Sequence, residues 1–547
     1  MANWSIESVV INTKEDCKNN VIKNLLSNQK GMALLTTLIF VFILITFGVS
    51  LLIMTSNDTK LSTLQRDSTK AFYIAEAGVE RTLYNLKKDF ESSEDWNDGD
   101  INGYSLTDED ANGFQKIEYD GEDDYDVSFG DGTYTVALKI NSSDYVTIKS
   151  KGKYDNSIRY VQVDAKIEKL SIWGNGIFGG SGASDSVISG KVDIRGSVHI
   201  LGEGLSSDDT AIEIIGAAGI GNNYKGIEDV IYRIATLPTT TFNDEQIDTI
   251  RAKLRVQHGK VKISSNAVTI GDPDEPGNVY KETLDGVYVT DGFEGFVANI
   301  YSDNGKDQPY DLGEGTFEFP DLMADDYIDA INGGTVNNPN TGNPYTYDGY
   351  YNSDNTLKIT DISSISSDTE SFHYPNPEGE YTGPDENGNS IRWDQENQKL
   401  KISGIIVIDV DDIDFAIGNI SDSIEYEGTG TMVSKGDISI SGNLLPETLF
   451  PESDALGLIA YENLKIFGGT TTNPRQVKMG VFYAQKEIRC DKQNRIIGTF
   501  VSDYIDMGNQ VPSIYQVPEL INNMPPGMPG ATITYFIYTN NWHEVHQ

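Results

Sequence analysis

An uncharged, proline-free run occupies residues 32 to 54, MALLTTLIFVFILITFGVSLLIM, and fifteen of its positions are Leu, Ile, Val or Phe. As a helix the run spans about 35 Å against a hydrocarbon core of about 30 Å, so the pattern predicts one membrane-crossing helix. Polar residues follow, but proline does not. Leu61, Leu64, Phe72, Ala75 and Val79 recur at roughly helical spacing and carry the same helix to about Phe90. Residues 32–90 therefore read as one long helix, lipid-like in its first half and amphipathic in its second.

The period then changes. ESSEDWNDGDINGYSLTDEDANG is too polar to offset its ordering entropy by apolar burial and reads as an acidic loop. After it, TYTVALKI, DYVTIKSKGKY and SIRYVQVDAKIE alternate apolar and polar positions, with NSS and DNS at the turns. That pattern predicts an antiparallel three-stranded meander from Tyr134 to Glu168, which closes a unit over residues 91–170. Phe72, Tyr73 and Val79 are the helix residues expected to pack on it.

Further on, short β-branched pieces recur between glycines. IWGNGIFGGSGASDSVISGKVDIRGSVHILGEG reads as the first rungs of a solenoid over 171–235. Between 401 and 510, Gly404, Gly430, Gly457, Gly480 and Gly498 each precede a short apolar strand, at intervals of 26, 27, 23 and 18 residues. One rung cannot bury its apolar face, whereas stacked rungs share a core, so repetition with irregular loops predicts a right-handed β-helix. Residues 236–400 read as an insertion containing one helix in FNDEQIDTIRAKLRV, and 511–547 as a proline-rich C-terminal cap. The expected fold class is α+β: a long N-terminal helix, a small antiparallel sheet, then the solenoid with an inserted irregular region.

Charge narrows the partners. With 41 basic against 83 acidic side chains the formal charge is -42, which repels phosphate backbones and argues against nucleic acid. Cys17 and Cys490 are the only cysteines, and Cys17 lies in a stretch expected to be removed, so the mature chain would hold no internal disulfide.

That removal follows from the order of segments. A polar leader precedes the apolar run and ends in Lys30-Gly31, whereas an ordinary secretory signal places its cleavage site after the apolar stretch. The KGMALLTTLIF junction and the segment AFYIAEAGVER resemble the N-terminal module of PilX-type minor pilins and the related K-type pseudopilins over about residues 30 to 90. The resemblance implies that prepilin peptidase cuts off residues 1–31 after Gly31 and that the new N-terminus, Met32, is methylated. It also implies a stay in the inner membrane, assembly with other pilins through the helix, and an extracytoplasmic C-terminal region on a pilus or cell surface. Major pilins carry Glu at the fifth mature position, and this chain has Thr36 there. Thr36 cannot neutralise a buried ammonium, which points to a minor or tip-associated subunit of a type IV pilus or secretion filament.

Candidate chemistry is sparse. Asp98, Asp100, Asn102, Gly103, Tyr104 and Glu109 satisfy a twelve-residue calcium-loop pattern, so calcium is the one candidate ion; a solvated acidic loop fits the same residues, and no cofactor is required. Tyr345, Tyr347, Tyr350 and Tyr351 among polar residues suit contact with a surface glycan or protein ligand, or simply loop packing. Asp409, Asp411, Asp412 and Asp414 read as the wet face of a strand, and His543 and His546 lack zinc-protease spacing. The chain therefore reads as a structural or adhesive component and not an enzyme. The alternative is a membrane-tethered β-helix enzyme acting on extracellular polysaccharide. GKVDIRGSVHI also resembles the polymer-forming bactofilins, which would imply a cytoplasmic place that the export helix opposes.

Overall fold

The structure, a computed structural model, describes residues 29–545 apart from 94, 97–98, 120–124, 143, 182–186, 189–191, 243–244, 276, 278, 314, 321, 323–334, 338–343, 347–355, 411–413, 470–475, 492–493, 508–511 and 532. Two compact units result. The first takes in the chain up to Glu168 together with the residues from Tyr535 onward; the second is Lys169–Thr534.

In the first unit, helix α1 (Gln29–Ser93) runs three residues past the expected end. Its second half buries Ala71, Ile74, Ala75, Val79, Leu86 and Phe90. Ala71 and Ile74 stand where Tyr73 was expected: Tyr73 is exposed, and so are Leu61 and Leu64, which lie before the part of the helix that meets the sheet. That sheet contains the expected meander as β1 (Gly132–Ser142), β2 (Tyr145–Tyr154) and β3 (Ser157–Leu170), paired antiparallel. Gln115–Lys116 flanks β1, and the terminal strand Thr534–Glu544 flanks β3. Gly152 is required where β2 meets α1, because a Cβ there would collide with the carbonyl of Ala71 and the backbone of Ala75.

The second unit is built on parallel pairing. Its central strands are β4 (Ile177–Gly179), β5 (Val198–Ile200), β6 (Lys253–Val256), β7 (Gly286–Val289), β8 (Leu357–Ile359), β9 (Lys399–Ile408), β10 (Thr429–Ser434), β11 (Ala455–Ala460), β12 (Gln476–Cys490) and β13 (Asn494–Asp506). They stack in the order β7, β6, β5, β4, β13, β12, β11, β10, β9, β8. One ladder passes through Val287, Leu254, Val198, Ile177, Phe500, Phe482, Leu458, Met432, Ile406 and Leu357. Each inward side chain in such a row gains about 1.5–3 kcal/mol from burial, and its neighbours above and below supply the packing. Gly404 faces Gly430 and Gly480 faces Gly498, so the glycine intervals of the sequence record successive layers.

The order of that stack corrects two expectations. Residues 236–400 are not an insertion between two coils, since they supply β6, β7, β8 and the first residues of β9. No helix forms in FNDEQIDTIRAKLRV: Thr239–Phe242 and Glu245–Asp248 pair antiparallel, and Lys253–Val256 is β6. Leu254 and Val256 are drawn into the ladder beside Val198 and Ile200, and this tertiary contact overrides local helical preference.

The C-terminal stretch does not cap an open end. Ser513–Tyr515 pairs with β13 and with Asp193–Arg195 in the middle of the stack, and Thr534–Glu544 belongs to the antiparallel sheet of the first unit. Other devices finish the ends. Beside β7, Asn304 acts as a substitute peptide group: its Oδ1 accepts from Val287 N (2.9 Å) and its Nδ2 donates to Val287 O (3.1 Å). At the far side β8 covers only the second half of β9, and along the first half Ser390–Asp394 pairs antiparallel with Lys399–Ser403, with Phe372–Tyr374 antiparallel beyond it.

Ion pairs link the layers on the outside. Glu427 meets Lys401 at 2.6 Å and Lys399 at 3.0 Å, and Asp409 is held by Lys435 (2.7 Å) and Lys358. The Lys401 and Lys399 hydrogen bonds hold the Glu427 carboxyl down to about 2, and the two lysines lower Asp409 likewise. A carboxylate held below its unfolded value stabilises the fold above that unfolded value and stops doing so as pH falls through the folded one. Thermal unfolding followed by circular dichroism from about pH 5 to about pH 2 is therefore expected to show a steeper loss of Tm in the wild type than in Glu427→Gln, whose layer contact no longer titrates. Parallel pH profiles for the two proteins would remove this role from Glu427.

Candidate functional site

The segment singled out by sequence is the first half of α1. Its lack of proline and its dense Leu, Ile, Val and Phe content favour uninterrupted helix once the backbone is sheltered from water. Between Met32 and Met54 the apolar side chains are exposed in this chain, Leu34 and Leu52 each at 72%. The hydroxyls in the run turn back onto the helix: Thr37 donates to Ala33 O (2.9 Å), Thr46 to Phe42 O (3.0 Å) and Ser50 to Thr46 O (2.8 Å). Each polar atom is thereby satisfied four residues back, and the outer surface stays apolar.

Lys30, Gly31 and Met32 lie in the first turn of α1, so the junction is helical. Thr36 donates to Met32 O, with a longer contact to Ala33 O (3.5 Å). Its hydroxyl is engaged by the backbone and offers no charge to a neighbour.

AFYIAEAGVER marks the place where the helix passes from exposed to buried. Ala71, Ile74, Ala75 and Val79 face the sheet, and Arg81 sits within three tyrosines. The guanidinium donates to Tyr134 Oη (3.1 Å) and lies 4.3 Å from the Tyr119 ring centre and 5.9 Å from that of Tyr104. Thr82 completes the cluster at 2.8 Å from Tyr119 Oη. Burial pushes the Tyr119 phenol up to about 12, so it stays protonated beside the arginine. Sequence reasoning missed this cage. Its signal, an arginine one turn beyond a run of small helical residues, has no meaning until the tyrosines are placed.

Among the described residues the calcium pattern does not converge. Asp100–Ile101 and Tyr104–Ser105 form a two-residue hairpin, with Asn102 (φ 54°) and Gly103 (φ 79°) at its corner, the turn that Asn-Gly favours. Asp100 Oδ1 accepts from Gly103 N (2.8 Å), and Asn102 donates through its backbone to Asp89 Oδ1 (2.7 Å) and through Nδ2 to Asn85 Oδ1 (3.0 Å). Tyr104 packs edge-on to Tyr119 at 4.9 Å, Glu109 is exposed, and Asp98 lies outside the described residues. The stretch thus works as a corner pinned to α1, and no group of three or more His, Cys, Asp or Glu converges among the described residues.

Of the remaining candidates, Tyr345 lies in a short strand, Pro344–Thr346, paired with Thr335–Asn337, whereas Tyr347, Tyr350 and Tyr351 fall outside the described residues. Asp409 is neutralised by its two lysines; Asp411 and Asp412 are outside the description, and Asp414 is exposed. His543 is exposed and His546 is outside the described residues.

Residues 30–80 match the family model described as PilX N-terminal, which bears out the resemblance read from the two motifs. One long N-terminal helix followed by a mostly β chain with small antiparallel sheets is the α+β arrangement expected with it. Among solved structures, the competence-associated pilin ComZ from Thermus thermophilus is similar at 19% identity, over 88% of this chain and 97% of that chain, with a TM-score of 0.49. No curated protein matches.

The cage gives Arg81 a measurable weight. Arg81→Ala is expected to destabilise the first unit by about 1–2 kcal/mol, seen as faster hydrogen exchange in β1 and β2 with the second unit unchanged. Unaltered exchange in those strands would show that the cage carries no stability.

Proposed function

We propose that this chain is a minor, tip-associated pilin-like subunit of a type IV pilus or secretion filament, non-enzymatic, presenting a β-solenoid outside the membrane for assembly or adhesion. The observation that carries the reading is the contrast along α1. Its second half is buried on its own sheet, whereas the apolar side chains from Met32 to Met54 are exposed. Water does not tolerate that much exposed apolar side chain, each residue forfeiting about 1.5–3 kcal/mol of burial, so the segment belongs first in lipid and then against the helices of other pilins.

In this reading prepilin peptidase cuts between Gly31 and Met32, and the new amine is methylated. A major subunit would pair that amine with a fifth-position carboxylate. Thr36 has none, and its hydroxyl is already bonded to the helix backbone. Leaving an ammonium unpaired in an apolar core costs several kcal/mol, which disfavours docking beneath a subunit already in place and suits the end of a filament. The parallel stack of the second unit, read as the solenoid, is then the part carried at the surface.

N-terminal mass spectrometry of protein extracted from membranes is expected to find a chain starting at methylated Met32; a start at Met1 with no shorter species would overturn the assignment. Immunogold labelling is expected at filament ends for the wild type and along the shaft for Thr36→Glu. Even shaft labelling of the wild type would refute the tip position while leaving the processing result intact.

A further inference from the structure

A second ladder of the stack runs through Ile270, Ile220, Ile194, Ile514, Ile496, Lys478, Leu444 and Ile424. Lys478 breaks a row of Ile and Leu, and it is fully buried. An amine so placed is normally matched by a carboxylate. Here Nζ lies within hydrogen-bond distance of Phe467 O (2.8 Å), Gln476 Oε1 (2.9 Å) and Asn494 Oδ1 (2.5 Å), none of them charged; a neutral amine donates to two such acceptors and keeps its lone pair. Burial lowers the Lys478 amine to about 7, so a large neutral and nucleophilic fraction exists under ordinary conditions.

Asn494 opens β13, the layer next to β12, where it pairs across from Gln476. Its carboxamide is fixed from the other side, because Nδ2 donates to Asp491 O (3.0 Å) and Ile466 O (3.4 Å). The amine and the carboxamide it touches are thus held by two adjacent layers whose own ladder positions them. Ile466, Phe467 and Asp491, whose carbonyls accept from the pair, also line a cavity of about 240 Å³.

We infer that Lys478 and Asn494 form a site of self-catalysed cross-linking, joining β12 to β13 through an isopeptide bond. The Nζ lone pair attacks Cγ of Asn494, and a C–N bond forms. The Cγ–Nδ2 bond then breaks, one proton passes from Nζ to the departing nitrogen, and ammonia leaves. Nothing is oxidised or reduced, and no co-reactant is consumed. The product is a secondary amide, uncharged and suited to the apolar row that the free amine interrupts. Gln476 Oε1 and Phe467 O orient the amine and are positioning groups.

Peptide mapping of the full chain, purified in detergent and digested after denaturation, tests this directly. The expected result is one branched peptide containing Lys478 and Asn494, lighter than the sum of its parts by one ammonia. Asn494→Ala is expected to lose the branched species, and Glu427→Gln, at an ion pair on the outside of the stack, to retain it. Separate, unlinked Lys478 and Asn494 peptides from folded wild-type protein would overturn the inference, as would a branch at Gln476. Should Asn494→Ala fail to fold, the wild-type map decides alone, since it needs no variant.

Discussion

The second unit is constrained by where its chain must begin and finish. It leaves the first unit after β3 and returns as Thr534–Glu544, and those two strands are neighbours in one sheet. A coil wound steadily in one direction separates its two termini by the full height of the stack. This chain avoids that by starting in the middle. It enters at β4, winds outward through β5, β6 and β7, crosses to the far end, and winds back from β8 to β13, which pairs with β4. Start and finish lie side by side, and a long insertion becomes compatible with an intact antiparallel sheet.

The crossing is secured by contacts along the outside of the stack. Tyr310 Oη lies 2.8 Å from His199 Nε2, and Asp311 takes both Arg255 bonds at 2.7 Å. Phe319 stacks on Tyr483 at 5.9 Å, and Leu322 N donates to Gln485 Oε1 at 2.8 Å. These residues touch β6, β5 and β12 in turn, so the return path is held to layers from both halves. Burial first, and the adjacent Arg255 second, keep the His199 imidazole well below its ordinary value, so the strap is tied by a neutral ring.

Much of this was legible in the residues. The uncharged run and the three alternating segments each express a local period and gave the element expected, and the glycine intervals fall on stacked parallel strands. What the sequence hid was order. Nothing in IFGG or TFVS announces that these pieces pair with each other across more than three hundred residues, since both are short apolar strands able to join any ladder. The same limit explains the missing helix at residues 242–256, where inward-facing Leu254 and Val256 decide the outcome, and the hairpin at Asn102-Gly103, where the acidic pattern that suggests an ion loop also suits a tight corner. Thr36, by contrast, is legible in its chemistry alone, because a hydroxyl carries no charge and here bonds to the helix backbone.

The amide of Asn304 lies against Val287 as one more residue of strand would, but it is a side chain and extends no further. On the opposite side the direction reverses, since Ser390–Asp394 pairs antiparallel with β9 and Phe372–Tyr374 pairs antiparallel with it in turn. At these two places a further parallel layer meets a side-chain amide or a reversed pair of strands in place of the next rung. The outward side chains of the layered part can therefore change without disturbing the rows that α1 and its own sheet depend on.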